Sequence, residues 1–361
     1  MAYKDLMLIF LKLGLTSFGG PVAHIAMMQN EFVEKRKWLT DQEFLDLVGA
    51  SQLIPGPNST EIAMHIGFKK AGYLGLCLAG LSFILPAFFV VWALAMIYQR
   101  YGHVDHLEMI FKAIVPVICA IILIASLKLS QTTLKKIKDY ILLLAAIGLL
   151  MWSKNEVLTL FVVGFLSLLI NQGSQYFKNK NFMLSSTVFL IPDLDKLFFY
   201  FLKIGSILFG SGYVLVSFLQ NDLVYKYQWI TEKQLIDAVA IGQMTPGPVF
   251  TTATFIGYIT SGSYGAVVAT IGIFLPAFIF VALTAKYIQK IRQWDWLAQF
   301  LDGLNIASFC FIAFTAVNLM RIHFDSQLSA ITFAVSFFLM WSYRINSAWL
   351  ILAAGLFGLL V

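Results

Sequence analysis

The feature that most constrains this chain is an internal duplication whose two copies carry the same helix-breaking residues. Phe10-Leu-Lys-Leu-Gly-Leu-Thr-Ser-Phe-Gly-Gly-Pro21 recurs as Phe201-Leu-Lys-Ile-Gly-Ser-Ile-Leu-Phe-Gly-Ser-Gly212, an offset of 191 residues. The same offset maps Trp38 to Trp229, Thr40 to Thr231, Asp46 to Asp237 and Gln52 to Gln243 without a gap. It also maps Pro55-Gly56-Pro57 to Pro246-Gly247-Pro248, and Thr60 to Thr251. With one residue removed, Ile66-Gly67 aligns with Ile256-Gly257, Gly72 and Gly75 with Gly262 and Gly265, and Leu85-Pro86-Ala87-Phe88 with Leu275-Pro276-Ala277-Phe278. The chain reads as two homologous halves, residues 1–176 and 197–361, joined by a polar linker, residues 177–196.

Both halves are strongly apolar. Of the 361 residues 59% are hydrophobic and only 12% charged, whereas soluble domains carry about a quarter charged residues. A soluble globule is excluded. A bilayer core needs roughly 20 apolar residues per helical span, so the chain is expected to be an all-α polytopic membrane protein with about ten membrane segments. In the first copy these run from Asp5 to Met28, Phe44 to Phe68, Ala71 to Tyr98 and Met109 to Leu127, followed by short stretches from Tyr140 to Trp152 and Val157 to Asn171. The short pair is expected to form a tilted hairpin. Leu6 to Leu11 after Lys4 resembles a signal peptide, but its internal copy beginning at Leu197 argues for a membrane segment.

Loop charges address orientation, because Lys and Arg gather on the cytoplasmic side. After the third segment the first half has a loop poor in basic residues and then one carrying Lys128, Lys135, Lys136 and Lys138. In the second half the order reverses, with Lys286, Lys290 and Arg292 in the earlier loop and Arg321 alone in the later one. Equivalent loops on opposite sides imply an inverted-topology repeat. The formal charge of +6 belongs to such loops and implies no nucleic-acid partner. Cys77, Cys119 and Cys310 lack C-x-x-C spacing, so neither a disulfide framework nor a zinc site is suggested, and buried inert thiols are expected.

The chemistry is expected where the breaks repeat. Phe18-Gly19-Gly20-Pro21 corresponds to Phe209-Gly210-Ser211-Gly212, and Pro-Gly-Pro occurs in both halves. Proline removes an N–H and clashes with the preceding turn, so Pro-Gly-Pro cannot continue a helix. Unpaired backbone survives at membrane depth only inside protein or along a watered cavity. Beyond each break, Asn58-Ser59-Thr60 and Thr251-Thr252 can cap a new half-helix, whose N-terminus is a seat for an anion. Kinks made only for packing are the alternative, and repetition of the motif in both halves weighs against it.

Lys12 and Lys203 occupy equivalent positions and either neutralise a bound oxyanion or snorkel to an interface. His24 and His65 follow the first-half breaks, with Leu215 and Phe255 at the related positions, and are either a proton-responsive pair or structural. Glu61 follows the first cap, where its carboxylate repels an anion unless paired or protonated. The basic stretch Glu31-Phe-Val-Glu-Lys-Arg-Lys-Trp38, with Lys35, Arg36 and Lys37, has a weaker partner in Tyr225-Lys-Tyr-Gln-Trp229; it draws anions to a vestibule or simply orients the loop. Metalloprotease, nucleophile-elbow, Walker A and clustered Cys/His signatures are absent, so neither an enzyme nor a cofactor or metal is expected.

Phe18-Gly-Gly-Pro-Val-Ala-His-Ile25, Lys37-Trp38-Leu39 and Gln52-Leu-Ile-Pro-Gly-Pro-Asn-Ser-Thr60 with His65-Ile-Gly67 resemble the chromate ion transporter family. So do Gly242-Gln-Met-Thr-Pro-Gly-Pro-Val-Phe-Thr-Thr-Ala-Thr-Phe-Ile-Gly-Tyr258 and Phe274-Leu-Pro-Ala-Phe278 in the second half. The resemblance covers the whole chain, as in long two-domain members. It implies a multi-pass protein of the bacterial cytoplasmic membrane that exports chromate and confers chromate resistance without hydrolysing ATP. Glu61 departs from the family pattern, which has a neutral glutamine there. The expected substrate-binding set is Lys12, Gly19, Gly20, His24, Gln52, Pro55, Gly56, Pro57, Asn58, Ser59, Thr60, His65, Lys203, Gly210, Gly212, Gln243, Pro246, Gly247, Pro248, Thr251 and Thr252. Arg36, Lys37, Trp38, Glu61 and Trp229 form the expected vestibule or gate. Partners are chromate or a similar oxyanion and the lipid bilayer, with a homodimer among the open oligomeric states. A sulfate carrier, a passive anion channel and a membrane-embedded reductase are the rivals, the last lacking any flavin, haem or iron–sulfur motif.

Overall fold

The computed structural model describes residues 3–18, 20–101, 105–153, 155–172, 194–209, 214–287, 295–323, 327–343, 345 and 347–358. Gly19, Gly210, Gly212 and linker residues 177–193 lie outside the described residues. Among the described residues there are fourteen α-helices and no strands. The first half supplies α1 (Tyr3–Thr16), α2 (Gly20–Gln29), α3 (Asp41–Ser51), α4 (Asn58–Tyr101), α5 (Asp105–Thr133), α6 (Ile137–Ser153) and α7 (Glu156–Gln172). The second half supplies α8 (Leu194–Ile207), α9 (Val214–Leu219), α10 (Glu232–Met244), α11 (Thr252–Thr284), α12 (Asp295–His323), α13 (Gln327–Ser342) and α14 (Ser347–Gly358).

The first apolar segment of each half is two helices that double back. A straight helix would hold residues 10 and 32 about 33 Å apart at 1.5 Å per residue. Yet the rings of Phe10 and Phe32 lie 5.1 Å apart, and in the second half Tyr200 and Trp229, the counterparts of Ile9 and Trp38, meet at 5.7 Å. α2 and α9 each run on into a π-helical turn, Asn30–Lys35 and Gln220–Lys226. The turns end at Lys37 and Gln228, equivalent residues with positive φ of 51° and 54°. α3 and α10 then start from capping boxes, Thr40 with Glu43 and Thr231 with Gln234, so the T-x-x-E and T-x-x-Q spacings do local work in both copies.

α4 spans 44 residues but is not one rod. Ala71 and Gly72 leave helical backbone, as do Ser261 and Gly262 in α11, and each helix folds into a hairpin. Its two arms meet at glycine: a Cβ added to Gly67 would strike the Gly75 carbonyl, and one on Gly257 the Gly265 carbonyl. Ala79 and Ala269 complete a stripe of small residues that lets the arms approach this closely. The first arm of α4, residues 58–70, is therefore a half-helix about 20 Å long, and the second arm returns across the molecule.

The halves interlock. α4 packs on α11; α5 packs on α12, α13 and α14; α12 in turn packs on α5, α6 and α7. The short α6–α7 pair is a hairpin of two 17-residue helices, longer than the apolar stretches that suggested it. By length and composition, Asn58–Tyr101, Val249–Thr284 and Gln299–Arg321 contain segments able to cross a membrane. Cys119 and Cys310 are buried, but Cys77 is exposed in an apolar groove between α4 and α11, contrary to the expectation that all three thiols are buried.

Candidate functional site

Each Pro-Gly-Pro joins a helix that ends to one that begins. α3 closes at Ser51, the chain turns through Pro55, Gly56 and Pro57, and α4 begins with the amides of Thr60 and Glu61 donating to the Pro57 carbonyl at 2.7 and 3.2 Å. α10 closes at Met244, and a short 3₁₀ turn, Val249–Thr251, leads into α11.

The two breaks hold each other. The Gly56 amide donates to the carbonyl of Leu208 (2.9 Å), and the Gly247 amide donates to the carbonyl of Ser17 (3.0 Å). Ser17 and Leu208 are related by the 191-residue offset, as are Gly56 and Gly247. Each Pro-Gly-Pro is thus tied to the glycine-rich break of the opposite half. Both glycines have positive φ, 140° and 99°; Gly56 faces Ala277, and Gly247 faces Ala87, its repeat-related counterpart. The crossing requires glycine in conformation and in space.

Buried polar groups gather around this crossing. His24, 1% exposed, lies 3.0 Å through Nε2 from the Ser17 carbonyl and 3.1 Å through Nδ1 from Ser59 Oγ. A carbonyl only accepts, so Nε2 carries the proton and Nδ1 accepts from the Ser59 hydroxyl. The Ser17 carbonyl therefore receives donors from both halves, and His24 links the start of α4 to the Gly247 loop. His24→Leu, which installs the second-half residue, orphans the Ser59 hydroxyl and is expected to cost about 1–3 kcal/mol, read as thermal unfolding of the purified protein.

Several of the gathered groups have no hydrogen-bond partner: Asn58 Oδ1, Thr60 Oγ1, both Glu61 carboxylate oxygens, His65 Nε2 and both atoms of the Gln243 amide. Unsatisfied buried polar groups are rare in proteins and commonly mark function. The hydroxyl residues do not cap as expected. Ser59 is engaged by His24, while Thr251 and Thr252 donate back to the carbonyls of Pro248 and Val249 at 2.8 Å each. A threonine in the first turn of a helix readily bonds a nearby carbonyl instead of an amide, and the Thr60, Glu61 and Thr251 amides are held by the carbonyls of Pro57 and Pro248. The duplication is also uneven here: Gln243 is buried, whereas Gln52 is exposed at the end of α3.

The two lysines part company. Lys12 is exposed on α1. Lys203 lies 3.9 Å from Asp222 and, with Lys226, lines a polar cavity of about 440 Å³ together with Asn155, Asn221 and Tyr225. Asn155 and Asn221 were not singled out from the sequence, and Lys226 only within the stretch Tyr225 to Trp229; only the fold brings the start of α7 beside the π-helical turn. Arg36 is paired with Glu31 at 2.6 Å, and Lys37 is exposed. Trp38 packs on Phe32 beneath the Lys70 ammonium, 4.9 Å from its ring, while Trp229 stacks on Tyr227.

Paired discontinuous helices with polar groups inside a multi-pass helical membrane protein define the architecture of a transporter. The chain belongs to the chromate transporter family, whose model matches residues 4–169 and 196–359. It is 29% identical to the chromate transport protein of Cupriavidus metallidurans over 99% of this chain and 92% of that protein. It is 30% identical to that of Pseudomonas aeruginosa over 100% and 93%. The probable chromate transport protein of Synechococcus elongatus is 31% identical over 88% and 84%. No solved structure matches the chain.

Proposed function

We propose that this protein exports chromate across the cytoplasmic membrane by alternating access, its two halves rocking about the crossed breaks as an inverted repeat. Residues 1–176 and 197–361 are the two transporter repeats, and residues 177–196 join them on the cytoplasmic side. The observation that carries this reading is the reciprocal pair of bonds from Gly56 to Leu208 and from Gly247 to Ser17, which sets the helix starts of both halves around one buried polar region. Amides at a helix start attract an anion without introducing a titratable group. The Gln243 amide, free of other partners, adds a side-chain donor.

The energetics fit export. One charge crossing 100 mV is worth about 2.3 kcal/mol, hence roughly 4.6 kcal/mol for a dianion, in the outward direction when the interior is negative. The cavity at Lys203 and Lys226 is an electrostatic approach to the crossing.

Uptake of labelled chromate into inside-out vesicles, with voltage and pH gradients imposed separately and sulfate as competitor, tests the reading. Saturable accumulation that responds to voltage and survives modest sulfate competition supports it. Better transport of sulfate, with chromate only competing, replaces chromate by sulfate as the substrate. Gln243→Leu is expected to weaken chromate affinity about tenfold, the effect of losing one hydrogen bond to a charged ligand, with unchanged thermal stability because no protein partner is lost.

A further inference from the structure

We propose that Glu61 is a proton-binding site coupled to the anion and reached through the cavity that ends at His65. The inference deepens the transport reading and rests on it for the identity of the anion. Asn58, Glu61, His65 and Lys69 recur every three or four residues on the first arm of α4 and share one face of the helix. Glu61 is fully buried, and neither carboxylate oxygen has a hydrogen-bond partner. A lone buried carboxylate with no cation and no donor is strongly disfavoured, and binding a proton removes the charge.

The route to it is built from two helices and a turn. α3 contributes Glu43, Asp46 and Leu47, α4 contributes His65, Phe68 and Lys69, and the turn that follows α11 contributes Ala285 and Lys286, around a cavity of about 270 Å³. Its ionisable lining is therefore Glu43, Asp46, His65, Lys69 and Lys286, with Glu43 and Lys69 ion-paired. Lys69 and the capping bonds from Thr40 hold the Glu43 carboxyl below the usual carboxylate range, so it stays ionised at the mouth. Ala50, Ile54, Met64, Ala277 and Val281 pack as one buried apolar cluster contributed by the same part of the fold. The Glu61 carboxyl lies against Gly56, where any side chain would strike Oε1. His65, one helical turn from Glu61, has an unpartnered Nε2. It accepts a proton from cavity water on one ring nitrogen and releases one from the other to the Glu61 carboxylate.

The second half has no such site. Thr251 and Thr252 follow its break with their hydroxyls satisfied, and Phe255 stands where His65 would be. Of the two repeat-related positions, only the first-half one therefore carries this carboxyl–imidazole pair. Because Glu61 sits beside Gly56 at the crossing, its negative charge opposes a bound anion. Protonation and anion binding therefore favour each other, and by linkage an anion that binds while Glu61 is deprotonated draws a proton onto it.

Two measurements on the purified full-length protein test this. Infrared spectra without substrate, recorded through a pH titration, are expected to show a carboxylic-acid band that Glu61→Gln removes; no difference between wild type and variant overturns the site, whatever the substrate. Proton uptake on adding chromate in weakly buffered solution, at a pH where the titration shows the carboxylic-acid band lost and with a protein-free blank subtracted, is expected for wild type and absent in Glu61→Gln. Wild-type affinity should fall about tenfold per pH unit once Glu61 loses its proton, against less than twofold in the variant. Chromate binding without proton uptake, or equal uptake by both proteins, overturns the coupling. A carboxyl band with no chromate binding keeps the proton site and overturns chromate as the anion. A flux driven by a sodium gradient in place of the pH gradient overturns the proton as the coupling ion. His65→Phe is expected to keep the band and slow its exchange with solvent at least tenfold; unchanged exchange overturns the route.

Discussion

Gly257→Leu is expected to leave almost no folded protein. The first side-chain carbon at this position would meet the Gly265 carbonyl, with the Ala269 Cβ 2.7 Å away. The obstacle is backbone, so no rotamer change relieves it. The arms cannot move apart, because the turn at Ser261 and Gly262 joins them only a few residues later. Overpacking of ordinary cores costs about 1–3 kcal/mol; with backbone as the obstacle the cost is at least about 3 kcal/mol, a large share of a typical domain's stability. The readout is monodisperse protein recovered in detergent. Gly148→Leu is the control: it lies in α6 with nothing near its virtual side chain, and recovery equal to wild type is expected. Normal recovery of Gly257→Leu would mean that the hairpin arms are not packed as described.

Gly247→Ala is expected to reach the membrane and yet transport at least tenfold more slowly. Its φ of 99° is foreign to alanine, and the new methyl would lie 2.8 Å from the Ala87 Cβ. Strain of this kind costs about 1–3 kcal/mol, borne at the crossing where the Gly247 amide holds the Ser17 carbonyl. Relief by shifting the loop breaks that bond and displaces the start of α11, the proposed anion seat. Adding Ala87→Gly removes the collision but not the backbone strain, so partial recovery in the vesicle assay is expected. Full recovery would assign the whole effect to packing; none would assign it to backbone conformation.

Much of this was legible because the duplication labels its own important positions. Proline chemistry gave the helix ends around Pro55-Gly56-Pro57 and Pro246-Gly247-Pro248, and the capping boxes at Thr40 and Thr231 can be read from spacing alone. The apolar segment from Asp5 to Met28 was legible only in outline: a hydropathy pattern does not distinguish a helix that continues through a break from one that doubles back, and the Phe10–Phe32 contact decides it. The paired lysines, Lys12 and Lys203, look equivalent in sequence but not in surroundings, because only Lys203 has an acidic neighbour and a cavity wall supplied by α7. Asymmetry at Glu61 and His65 was visible, whereas the missing hydrogen-bond partners were not.

The sequence by itself determined composition-driven membrane residence, the twofold repeat, the places where helices stop and the polar residue types set beside those stops. Only the tertiary structure decided that the break of one half is satisfied by the other, through Gly56 with Leu208 and Gly247 with Ser17. Helix breaks and caps are set by neighbours a few residues away, so local chemistry fixes them. Which partner meets an orphaned amide some 150–230 residues along the chain depends on how whole helices pack, and that is decided when the two halves close on each other.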